Sequence, residues 1–128
     1  MTQAAQTTGG GTEKIPTGAG PRETSITVLL VDDDDAFADL VSSYLEREHG
    51  FEVHTKTNGQ AVLDHLESTG GVDCVVSDYE MPGIDGLELL KTVKSEYAKL
   101  PFVMFAKQGS EELAGQAIQH GADDYLQK

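Results

Sequence analysis

Val28-Leu29-Leu30-Val31-Asp32-Asp33-Asp34-Asp35 sets four apolar residues directly against four acidic ones. The apolar half reads as a short strand buried on both faces, the pattern of a parallel sheet. The acidic half then falls at the strand's carboxyl end, where open α/β sheets place their ligands. Adjacent carboxylates repel one another, and each is harder to desolvate beside its neighbours. A bound divalent cation would offset both penalties. A second reading is a solvated helix start, because Asp suits an N-cap and a first helical turn. The stretch alone leaves both open.

Downstream, Phe37, Leu40, Val41, Tyr44 and Leu45 recur at helical spacing, giving one apolar stripe on a helix from about Ala36 to Glu48. Gly50 is its natural C′ residue, and His49 is expected at the surface. Phe51 to Thr55 alternates like a half-exposed edge strand. Ala61, Val62 and Leu66 mark a short second helix ending at Gly70-Gly71, with His65 on its exposed side. Val72 to Val76 reads as a third buried strand that delivers Ser77-Asp78-Tyr79 to the rim. Turn residues fill Met81 to Gly86. A third helix over about 86–97 is expected to bury Leu87, Leu90 and Val93. Phe102 to Ala106 is a fourth strand, and Ser110 caps a fourth helix that is expected to bury Leu113, Ala117 and Ile118. Asp124 to Lys128 is a fifth strand. Strand and helix alternate throughout with short loops, which means a doubly wound parallel sheet with helices on both faces.

Upstream, residues 1–24 show no helix or strand period and are rich in Thr, Gly, Ala and Gln. They are expected to be a disordered leader before a domain of residues 25–128. Gly9-Gly10-Gly11 lacks the strand before it and the Lys-Ser/Thr after it that a phosphate loop needs. Of the 128 residues 38% are hydrophobic, enough for one modest core. The formal net charge is −13, and because residues 1–24 balance, all of it falls on 25–128. A body that acidic is a poor match for direct nucleic-acid or anionic-membrane binding. Cys74 is the single cysteine and sits in an apolar run, so it is expected as a small buried hydrophobe. No apolar stretch reaches membrane-span length and the N-terminus lacks a signal-peptide core, so a cytoplasmic protein is expected.

In such a sheet the ends of strands one, three, four and five share a rim. Asp32, Asp33, Asp78, Ala106-Lys107 and Lys128 then meet. Three carboxylates and a lysine suit a hard cation that keeps several waters, Mg²⁺, together with a phosphoryl group. Asp78 could act as nucleophile and form an aspartyl phosphate.

The sequence resembles the receiver domain of two-component response regulators, similar to the single-domain chemotaxis receiver. The matching residues are Val-Asp-Asp at 31–33, Ser-Asp-Tyr-Glu-Met-Pro-Gly-Ile-Asp-Gly-Leu-Glu-Leu-Leu at 77–90 and Gly-Ala-Asp-Asp-Tyr-Leu-Gln-Lys at 121–128. The Gly-Ser-Glu-Glu and Asp-Tyr-Leu-Gln-Lys wording is also similar to receivers of salt-loving archaea. The resemblance spans residues 26–128 and implies the flavodoxin-like strand order 2-1-3-4-5. It implies Asp78 as phosphoacceptor, Asp33 and Asp78 as direct Mg²⁺ ligands, Asp32 as a ligand through water, and the Glu80 backbone carbonyl as a further ligand. Lys128 would contact the phosphoryl group, and Tyr125 falls where the family has an aromatic that swings inward on activation. A sensor histidine kinase would donate, a downstream protein partner would read the state, and no independent substrate turnover is implied. Asp34 and Asp35 match no family ligand and revert to helix-start acids.

Three departures qualify the match. Ala106 stands where the family usually has Thr or Ser, and Ser110 is expected to cap a helix rather than replace that hydroxyl. Lys128 is the last residue of the sequence, so the usual proline and fifth helix do not appear. One sheet face is then expected to be partly bare, open to a homodimer, another segment or a docked partner. A free carboxylate at Lys128 would also sit close to the proposed phosphate. The main alternative is therefore a non-switching receiver that binds a partner independently of phosphorylation. A small Mg²⁺ phosphohydrolase is disfavoured because Tyr79-Glu80 follow Asp78, where an Asp-x-Asp pattern would be needed. A flavin module is disfavoured because Asp32 to Asp35 would repel its phosphate.

Overall fold

The structure, a computed structural model, describes residues 25–128. The expected leader of residues 1–24 lies outside the described residues. Strands and helices alternate in the order β1 (Thr27–Val31), α1 (Asp35–His49), β2 (Glu52–Lys56), α2 (Gly59–Ser68), β3 (Cys74–Asp78), α3 (Gly86–Glu96), β4 (Phe102–Ala106), α4 (Glu111–Gln119) and β5 (Asp124–Gln127). The sheet order is β2-β1-β3-β4-β5 and every neighbouring pair is parallel. This is the flavodoxin-like order the resemblance implied. β1 has a neighbour on each side and helices over it, which is why Val28, Leu29, Leu30 and Val31 are all buried. β2 is an edge strand, and its alternating residues are only half-covered.

Each helix starts on a side chain that satisfies a free backbone donor. Asp34, Asn58, Asp85 and Ser110 accept the N–H groups of Phe37, Ala61, Glu88 and Leu113. α1 ends at Gly50, whose φ of 68° is the left-handed conformation that glycine adopts without penalty.

One face of the sheet carries the main core. Leu29 and Val31 of β1, Val75 of β3, and Phe102 and Met104 of β4 pack with Val62 and Leu66 of α2, Leu89, Leu90 and Val93 of α3, and Ala117 of α4. α1 packs against β1 and β2, and its buried Ala38 lies outside that cluster. Alternation sends Val28 and Leu30 to this second face.

Several expectations are corrected. β3 begins at Cys74, two residues later than the apolar run suggests. The Asp73 carboxylate accepts the Thr27 N–H at 2.8 Å, so the ladder with β1 opens only at Val28 and Cys74. At its other end β3 includes Asp78, which pairs with Phe105 of β4, rather than stopping before it. Cys74 is half-buried. Leu40 and Tyr44 are 66% and 53% exposed, because Ala38, Val41 and Leu45 turn toward the sheet and the other two lie beside that face. Ile118 is 53% exposed for the same reason, with Ala117 taking the inward position. Leu87 is half-buried, since α3 points Gly86, Leu89, Leu90 and Val93 inward. His65 is half-buried beside His54, their rings 5.3 Å apart. Burial, Lys56 and His54 all lower its pKa. On the second face Val76, Val103 and Phe105 are half-buried and Leu126 is 40% exposed.

Candidate functional site

Parallel register brings the carboxyl ends of the central strands to one level. Val31 pairs with Ser77, Asp78 with Phe105, and Ala106 with Gln127. Asp32 follows β1 directly and is 2% exposed; Asp78 ends β3 and is 4% exposed. Asp33 is exposed. One carboxylate oxygen from each of the three lies within 4.8 Å of the other two, and no other three-residue group of His, Cys, Asp or Glu among the described residues meets that spacing. The side chain of Lys128, reaching in from the end of β5, is 2.7 Å from Asp32 Oδ2 and 3.3 Å from Asp78 Oδ2. Its backbone N–H donates to the Ala106 carbonyl, which fixes the lysine to β4.

Of the four opening aspartates, the last two start the helix, as expected. Asp32 Oδ1 accepts the Asp34 N–H at 2.9 Å, and Asp34 Oδ1 accepts the Phe37 N–H at 3.1 Å. Asp34 is therefore the N-cap of α1 and Asp35 its first-turn acid. Asp34→Ala is expected to cost about 1 kcal/mol of stability and to leave metal affinity alone. Asp33→Ala should do the reverse, and melting curves with and without Mg²⁺ separate the two.

Burial raises the Asp78 pKa most, and the negative charge of Asp32 raises it further. Lys128 and the Glu80 backbone amide pull it back only in part. Burial works against the charged form of Lys128, but its bonds to Asp32 and Asp78 outweigh that and raise its pKa. Asp78 Oδ1 is buried with no hydrogen-bond partner. An unpartnered charged oxygen between two other carboxylates and beside one ammonium is short of positive charge. The residues thus fit a hard cation.

The remaining predicted residues lie in the turn after β3, at the end of β4, at the cap of α4 and on β5. Glu80 is exposed in the turn after β3. Ala106 closes β4 at 1% exposure and offers only a methyl group. Ser110 is used as the cap of α4, its Oγ accepting the Leu113 N–H at 3.0 Å. Tyr125 is half-buried, and its hydroxyl is buried without a partner against Gly109, where a Cβ would collide with it. Two groups escaped the sequence reading. Gly86 lies directly under the Asp78 backbone, and the Phe37 ring lies against Lys128. Phe37 read only as one member of an apolar stripe; the Asp85-Gly86 pair was a visible signal but read as turn chemistry.

Known proteins give a consistent picture. The response regulator receiver domain family model matches residues 28–128. The chain is 41% identical over 103 residues to the heme response regulator HssR of Staphylococcus epidermidis, covering 80% of this chain and 45% of that protein. It is 39% identical over 101 residues to the transcriptional regulatory protein FixJ of Bradyrhizobium diazoefficiens, covering 79% and 48%. The chain thus spans about half the length of these curated relatives. Among solved structures, the chemotaxis response regulator CheY4 of Vibrio cholerae superposes with a TM-score of 0.74 at 32% identity, covering 82% of this chain and 88% of that one. A CheY-like receiver domain protein from Methanospirillum hungatei gives 0.76 at 28% identity, covering 82% of each. With the fold, the carboxylate cluster and these likenesses together, the chain belongs to the response regulator receiver domain family of two-component signalling.

Proposed function

We propose that Asp78 accepts a phosphoryl group from a sensor histidine kinase in a Mg²⁺-dependent transfer, and that a downstream protein reads the result. The observation that carries this reading is the buried, unpartnered Asp78 Oδ1 beside Asp32, Asp33 and Lys128. Asp33 and Asp78 would hold Mg²⁺ directly, Asp32 through water, and Glu80 through its backbone carbonyl. The bound ion would neutralise charge on the transferred phosphoryl oxygens. Asp78 Oδ1 attacks phosphorus in line, the phosphorus–nitrogen bond of the phosphohistidine breaks, and the imidazole leaves with the bonding pair. Lys128 supplies a fixed ammonium to a phosphoryl oxygen. The group stays on Asp78, so the chain is a phosphoacceptor and not a turnover enzyme. The receiver unit is residues 25–128, residues 1–24 act as a leader, and the setting is cytoplasmic, away from nucleic acid and membrane. No helix among the described residues is long and apolar enough to cross a membrane.

Incubation with a small phosphodonor such as acetyl phosphate and Mg²⁺ is expected to label the chain. Chelation of the metal should abolish labelling, and so should Asp78→Asn. Label that persists in Asp78→Asn would refute the assignment.

A second reading rests on Ala106. A buried methyl at the end of β4 gives a phosphoryl group no hydroxyl to draw the following loop inward. In this reading the receiver binds its partner whatever its phosphorylation state, over the partly bare sheet face or as a homodimer. Equal partner affinity with and without beryllofluoride supports it, and Ala106→Thr should then create a difference.

A further inference from the structure

We propose that Phe37 is a positioning residue for Lys128: its ring forms a fixed apolar wall that holds the ammonium over the carboxylate cluster. The inference rests on the phosphoacceptor reading of this site. Lys128 Nζ lies 4.4 Å from the centroid of the Phe37 ring, on the face where the ring quadrupole attracts a cation. The same ammonium spends its hydrogen bonds on Asp32 and Asp78. Its side chain is only 13% exposed, so the ring replaces water that would otherwise surround the charge.

The ring is itself held from two sides. The Phe37 backbone N–H is tied to the Asp34 cap at 3.1 Å. The ring meets Phe105 edge-on, with centroids 5.9 Å apart and planes at 78°. Phe105 pairs with Asp78 across β3 and β4 and precedes Ala106. One short chain of contacts therefore links the cap of α1, the aromatic pair, the lysine and the phosphoacceptor.

The need for this wall follows from what the site must do. A cation held directly by Asp78 and through water by Asp32 competes with Lys128 for the same two carboxylates. Without carboxylate partners a flexible lysine swings into solvent, and Ala106 provides no polar group to keep it. The aromatic face makes no demand on the carboxylates, so it retains the ammonium while they turn to the metal. An aliphatic side chain of similar size would pack against Phe105 but would not attract the charge.

The test compares Phe37→Leu with Phe37→Tyr in the full chain. In the unlabelled protein the Lys128 Cε protons are expected to show an upfield ring-current shift by NMR, kept in Phe37→Tyr and lost in Phe37→Leu. Labelling by acetyl phosphate and Mg²⁺ should slow by roughly 3- to 30-fold in Phe37→Leu and recover in Phe37→Tyr. Mg²⁺ affinity should stay within about twofold of the parent in both, which a collapsed site would not allow. A Phe37→Leu chain that labels as fast as the parent overturns the positioning role alone. A missing ring-current shift in the parent does the same. A parent that takes no label overturns the phosphoacceptor reading and this inference with it.

Discussion

Gly86→Ala is expected to lower the melting temperature by about 10–20 °C, the consequence of roughly 2–3 kcal/mol of overpacking in a domain of this size. Gly86 opens α3 and is buried, and its N–H donates to the Tyr79 carbonyl at 2.8 Å. A Cβ there would run into the Asp78 carbonyl oxygen and stand 2.8 Å from Tyr79 Cα. Both obstacles are backbone, so no side chain can swing aside. Either α3 backs out of the core that Leu89, Leu90 and Val93 fill, or the end of β3 moves and takes Asp78 with it. The surviving folded protein should therefore label at least tenfold more slowly, because transfer depends on placement to within a fraction of an ångström. Gly115→Ala is the control. Gly115 lies inside α4 with open space where its Cβ would go, and alanine there should stabilise by about 0.5–1 kcal/mol. A Gly86→Ala protein that melts within a few degrees of the parent would contradict the close approach of α3 to Asp78.

The second large effect is an inversion of stability by metal. Burial and Asp32 raise the Asp78 pKa, so the folded chain holds that proton more tightly than the unfolded chain does. The resulting penalty is absent at low pH. It grows as pH rises from the ordinary carboxylate range through the raised folded value and is complete above that value. Asp78→Asn removes the charge and leaves Lys128 its 2.7 Å bond to Asp32. Without metal at pH 7 the variant should melt above the parent, by an amount corresponding to about 1–3 kcal/mol, the scale of one buried unpaired polar group. Acidification to below the usual carboxylate range should close the gap. With Mg²⁺ at a hundred times its Kd the parent should gain about 2.7 kcal/mol and Asp78→Asn almost none, reversing their order. Calorimetry of both proteins at two pH values, with and without Mg²⁺, checks all of this. An Asp78→Asn protein that is less stable than the metal-free parent at pH 7 would show that the buried charge is not the burden argued here.

The sheet was legible because its signals are local. Val28 to Val31 suit a strand buried on both faces in the middle of a parallel sheet, and Asp34, Ser110 and Gly50 announce helix ends by their own chemistry. The positions of Asp32 and Asp78 followed from strand ends sharing a rim. What failed to show depended on other elements. Leu40 and Tyr44 carry the helical period of buried residues, yet the period cannot say which side of α1 meets a neighbour. The start of β3 was hidden because one carboxylate, Asp73, takes over a ladder position from 46 residues away. Phe37 looked like core, and its contact with Lys128 exists only because the first turn of α1 and the end of β5 arrive at the same corner. Gly86 looked like a turn former, and its tightness against Asp78 is a tertiary fact.

The seat of Tyr125 gives the protein an optical signal of its own. The sequence has four tyrosines and no tryptophan, so near-ultraviolet absorption is nearly all phenolic. Tyr44 is bathed in water at 53% exposure, whereas the Tyr125 hydroxyl is dry, unpaired and pressed against Gly109. A phenol in that setting absorbs at a different wavelength from a hydrated one. Any movement of the β4–α4 loop that lets water reach the ring would therefore appear as a tyrosine difference spectrum, readable in real time without attaching a dye.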